Sequence, residues 1–113
     1  MVVLRGVSRT ANRDRDFLRE VLENFRLEFP PLNMALNNAV ARKDLEQIQI
    51  AADTLTAMLA NLSFTRASAS AMRIGQMARE NAPAGILDEM ACLERNVAVA
   101  QAELETLCRE VVH

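Results

Sequence analysis

Apolar residues recur along this chain at alternating steps of three and four, the repeat of a helix with one buried face. The longest run is Ile86, Met90, Leu93, Val97, Ala100, Leu104, Leu107 and Val111, with no Pro or Gly after Gly85. It predicts a helix of about 26 residues, about 39 Å long. A second run, Leu45, Ile48, Ala52, Leu55, Leu59 and Leu62, steps 3-4-3-4-3. Asp44 stands just before it, where a carboxylate caps free amides, with Gln47 at the capping-box position. A third helix is expected from Thr65 to Arg79, with Ala67, Ala71, Ile74 and Ala78 inward. Its small residues suit a close approach to a neighbour, and Pro83 and Gly85 mark the turn after it.

The first part of the chain is less regular. A helical pattern starts near Asp14 and carries Phe17, Val21, Phe25 and Phe29 at steps of four. Pro30-Pro31 is expected to kink or split it, because proline lacks the amide donor and restricts the residue before it. Leu32, Leu36, Ala39 and Val40 then continue the stripe to Lys43. Residues 1–12 have no periodicity and read as a flexible lead-in to a bundle spanning 13–113. With short connections, the expected fold is an all-α, antiparallel up-and-down four-helix bundle, its first helix kinked or split at the prolines. Its core should hold Leu45, Ile48, Leu55, Leu59, Met90, Leu93, Val97, Leu104 and Leu107.

Composition agrees with that reading. A chain of 113 residues is one domain, and its only aromatics are four Phe, so the core is aliphatic. Three Gly and three Pro are too few for an all-β chain. The net charge of −2 argues against nucleic acid and anionic membranes as partners. Five Arg against two Asp leave residues 1–19 at +3 and the remainder at −5, a basic arm best read as solvated. Cys92 and Cys108 fall in one predicted helix, about 24 Å apart, beyond disulfide reach. Two helix thiols, with neither a signal peptide nor a long apolar run, predict a cytoplasmic protein without membrane insertion.

The chemistry available is narrow. The one histidine is the terminal His113, and CxxC, Walker and dinucleotide-binding patterns are missing. A di-metal bundle would need Glu-x-x-His. Asp88-Glu89 and Glu103/Glu105 read as solvated acids. No metal, cofactor or enzymatic activity is expected. Attention falls on the outward face of the second seam helix, where Gln49, Asp53, Thr56 and Ala60 line up once Ala52, Leu55 and Leu59 point inward. Asp is unfavourable in mid-helix, and its plainest reading is an ordinary surface acid.

The stretch DFLREVLENFRLEFPPLNMALNNAVARKDLEQIQIAADTLTAMLANLS resembles the histidine-containing phosphotransfer (HPt) domain of bacterial phosphorelays. Ala52, Thr54, Leu55, Ala60, Asn61 and Leu62 fit the family's signature helix, and Ala67, Ala71 and Ile74 fit the helix after it. The resemblance spans residues 14–110. It departs at the reactive positions: Asp53 stands for the phosphoacceptor histidine, Thr56 for a lysine, and Ala57 and Ser63 for glycines. A carboxylate would have to form a mixed anhydride, without a lysine at position 56 to neutralise phosphate. The resemblance therefore implies a pseudo-phosphotransfer module that binds a receiver domain or a sensor histidine kinase without carrying phosphate. Gln49, Asp53, Thr56, Ala57 and Ala60 would form its partner-binding surface. The alternatives are a structural or dimerising bundle, with residues 67–71 as an exposed self-contact, and a phosphotransfer protein in which Asp53 is either an introduced substitution or an atypical acceptor.

Overall fold

The computed structural model describes residues 7–112, and side chains for residues 16–110. Four helices follow one another: α1 (Val7–Ala41), α2 (Leu45–Asn61), α3 (Thr65–Arg79) and α4 (Ile86–Val112). Among the described residues there is no strand. Each helix packs against the next, and α1 also packs against α4, which closes a ring of four around one core. No helix is long and apolar enough to cross a membrane.

The helix ends follow from local chemistry. Asp44 caps α2, its carboxylate accepting from the Gln47 amide at 3.2 Å. Three helix C-termini close by one device. Behind α1, Lys43 N–H donates to the Val40 carbonyl and Asp44 N–H to the Ala39 carbonyl. The same pair of bonds recurs at Ser63 and Phe64 behind α2, and at Asn81 and Ala82 behind α3. This pair of hydrogen bonds requires a left-handed residue, and φ is +58° at Lys43, +63° at Ser63 and +55° at Asn81. Asn tolerates that conformation; Lys and Ser pay for it. The turn before α4 uses Gly85 at φ +106°, with open space where a Cβ would stand.

The core matches the aliphatic seams. Ile48, Leu55, Leu59, Met90, Leu93, Val97 and Leu104 are buried. Leu45 and Leu107 are half-buried. Leu45 opens its helix, and Leu107 lies in the part of the 27-residue α4 that outruns the 15-residue α3. Phe64 sets its ring 5.4 Å from that of Phe25, tilted by 52°, and ties the α2–α3 turn to α1. Cys92 and Cys108 are free thiols on α4.

Several expectations about α1 and α3 are corrected. α1 begins at Val7, well before Asp14, because an established helix adds one bond per residue through VSRTANR without needing an apolar stripe. Residues 7–12 of the expected lead-in are thus helical, and residues 1–6 lie outside the described residues. The split at Pro30-Pro31 does not occur; both prolines sit inside one continuous helix. The carbonyls that lose their donors belong to Arg26 and Leu27, which face solvent. Buried residues on both sides, Leu22 and Phe25 before and Leu36 and Ala39 after, anchor the helix to the core across the prolines.

Phe17 is 60% exposed, not inward. Steps of four drift about 40° each, so Phe17 ends about 80° from Phe25. Leu18 and Leu22 pack on the core there instead. Ala67 and Ala71 are buried as their spacing predicts, and Ser68 and Ser70 are buried with them, so the run 67–71 is not the exposed self-contact that the dimerising alternative needs. Their small side chains let α3 sit close to its neighbours.

Candidate functional site

Asp53 lies in the middle of α2, and its side chain is 51% exposed, on the face the apolar seam leaves outward. It is not a free acid. Arg79, in the last turn of α3, donates through Nη1 to both Asp53 carboxylate oxygens, each at 3.2 Å. The Arg79 side chain is 42% exposed. An ion pair this open to water contributes about 0.2–1 kcal/mol, so it orients two side chains more than it holds the fold.

Gly75 makes this approach possible. A Cβ there would lie 2.9 Å from Asp53 Oδ1 and 3.4 Å from the Ala52 Cβ. Without one, the carboxylate rests against the α3 backbone, one helical turn before Arg79. Thus α2 supplies the acid, while α3 supplies both the gap and the cation.

The other expected residues have different environments. Ala57 and Ala60 are exposed on the stripe that carries Asp53, while Gln49 and Thr56 are half-buried. The Thr56 hydroxyl donates to the Ala52 carbonyl at 2.7 Å. The Thr56 carbonyl accepts from Ser68 Oγ at 3.2 Å. Thr56 is therefore tied into the α2–α3 contact, and its hydroxyl proton already has an acceptor. Ser63, where the resemblance has a glycine, is exposed in the turn.

Sequence reasoning missed Arg79 and Gly75. Both sit on a helix whose pattern was read only for its buried alanines, and their meeting with Asp53 depends on how α3 registers against α2. The cation missing at position 56 is present at this face after all, delivered from α3.

The acids read as solvated are only partly so. Glu89 is 14% exposed and pairs with Arg73 at 3.0 Å. Glu105 pairs with Arg26 at 3.0 Å, which joins α4 to α1. Beside the first pair, the fully buried Ser70 Oγ accepts from Asn96 Nδ2 at 3.0 Å and from Arg73 Nη2 at 3.3 Å. This polar layer fixes α3 against α4. Among the described residues no group of three acids, cysteines or histidines could hold a metal.

Compared with family models, curated proteins and solved structures, the chain finds no match.

Proposed function

We propose that this chain is an HPt-like docking module of a bacterial two-component pathway. It binds a receiver domain or a sensor histidine kinase and carries no phosphate itself. It is cytoplasmic, acts without cofactor or metal, and is not an enzyme. The observation that carries this reading is Asp53: a solvent-facing carboxylate in mid-α2, bound by Arg79, where the resemblance has an imidazole. A carboxylate already paired with a guanidinium is a poor nucleophile toward a phosphoryl group.

The fold is read as antiparallel and up-and-down, the topology of the family it resembles. Cross-helix pairs support this. Between α3 and α4, Ser70 meets Asn96 and Arg73 meets Glu89, so one position rises as its partner falls. Three-residue connections before α2 and before α3 favour the same reversal.

The reading of a dimerising bundle loses the surface that suggested it, since Ala67, Ser68, Ser70 and Ala71 are buried and Ala69 is half-buried. The test is incubation with phosphorylated receivers, following complex formation and the fate of the aspartyl phosphate together. Binding without dephosphorylation supports the proposal. Failure to bind any receiver or kinase encoded with it would refute it.

A further inference from the structure

Arginine presents five N–H donors in a planar fork. Arg79 gives only Nη1 to Asp53; Nε and Nη2 have no hydrogen-bond partner among the described residues. The guanidinium is substantially exposed, and so is the carboxylate that holds it. Ala57 and Ala60 are exposed one and two turns beyond Asp53 on α2, while the exposed Gln76 and Glu80, hydrogen-bonded to each other at 3.1 Å, flank Arg79 on α3. Met72, two turns before Arg79 on α3, is 52% exposed. A guanidinium with spare donors, on a face that continues into the small side chains of Ala57 and Ala60, is complementary to an acidic group on a protein surface.

We propose that Arg79 is the residue through which this face receives an acidic group of a protein partner, and that Asp53 is its internal competitor. The inference rests on the docking reading above and deepens it. The partner's carboxylate or phosphoryl oxygen takes Nε and Nη2 first. It then displaces Asp53 from Nη1, and the exposed pair opens because water already screens it. Asp53 thereby lowers affinity for any acidic partner and selects those that present enough negative charge. If Asp53 itself were the partner-binding group, its removal would weaken docking; here removal strengthens it.

The test compares the full chain with D53N, R79Q and R79K, all at exposed positions where the fold tolerates change. Binding to receiver domains encoded with the protein is measured at low and high salt. D53N should bind about two- to fivefold tighter, the worth of an exposed competing pair. R79Q should bind at least about tenfold weaker and lose most of the salt dependence. R79K should fall between them, since lysine keeps the charge and loses the fork. R79Q within twofold of the unaltered chain, or D53N weakened like R79Q, overturns the inference and leaves docking standing.

A second probe needs no partner. Inorganic phosphate is titrated while the Arg79 Nε–H signal is followed by NMR. A saturable shift, reached at lower phosphate in D53N, is expected. No saturable shift in either protein overturns the anion site. A shift without any receiver binding upholds the site and defeats the receiver reading instead.

Discussion

Oδ1 of Asp53 lies 2.9 Å from where a Cβ on Gly75 would stand, so the carboxylate occupies space that any other residue at 75 would claim. The atom in the way is the end of a movable side chain. Gly75→Ala should therefore push Asp53 off Arg79 while leaving the helices in place. Alanine also favours helix by up to about 1 kcal/mol over glycine. The expected outcome is unchanged or higher thermal stability, together with loss of the Asp53–Arg79 contact. Thermal melts with NMR of the Arg79 side chain check both; a marked fall in stability would mean that Ala52, 3.4 Å away, cannot give.

Ser63 holds φ +63° in the α2–α3 turn, where the resemblance has a glycine. A β-carbon is costly in that conformation, and the two hydrogen bonds that close the turn, from the Ser63 and Phe64 amides, are made by backbone. Ser63→Gly should stabilise by about 1 kcal/mol, allowing for the glycine's extra freedom when unfolded. Denaturant unfolding measures this directly. The same substitution at Asn81 should gain less, because asparagine tolerates the left-handed region.

Asn96 and Ser70 join α4 to α3 through one 3.0 Å bond, with Ser70 fully buried. Asn96→Ala should cost about 1–2 kcal/mol, the range for a lost bond beside a buried polar atom. Ser70→Ala and Asn96→Ala together should cost less than the sum of the two, which a double-mutant cycle resolves.

The helices were legible wherever a 3-4 seam ran unbroken. α3 spans the expected Thr65–Arg79, and Asp44 caps α2 as expected. What failed was local reasoning about α1. A four-step phenylalanine series drifts off the buried face, and two prolines did not end a helix held by packing on both sides. The site was half legible: the seam of α2 turned Asp53 outward, but Arg79 reaches it from a residue 26 positions away. Nothing in either helix taken alone announces that pairing. In α3 the spacing turned Ala67 and Ala71 inward, but nothing in it announced that Ser68 and Ser70 are buried as well.

With Arg79 already beside position 53, the cation argument for reactivity changes. Asp53→His alone should give little phosphotransfer, because the exposed Ala57 methyl stands one turn on along the same stripe. Asp53→His with Ala57→Gly should give more, and adding Thr56→Lys little beyond that. In that background Arg79→Gln should take most of the gain away. Label transfer from a phosphorylated receiver, followed over time for each variant, orders them.

The central claim is that this face docks and does not carry phosphate. The most direct measurement is incubation of the unaltered chain with receivers labelled at the aspartyl phosphate, separating bound complex from covalently labelled chain. The account predicts a complex in which the label stays on the receiver and none appears on this protein. Label transferred to this chain, and abolished by Asp53→Ala, would contradict it.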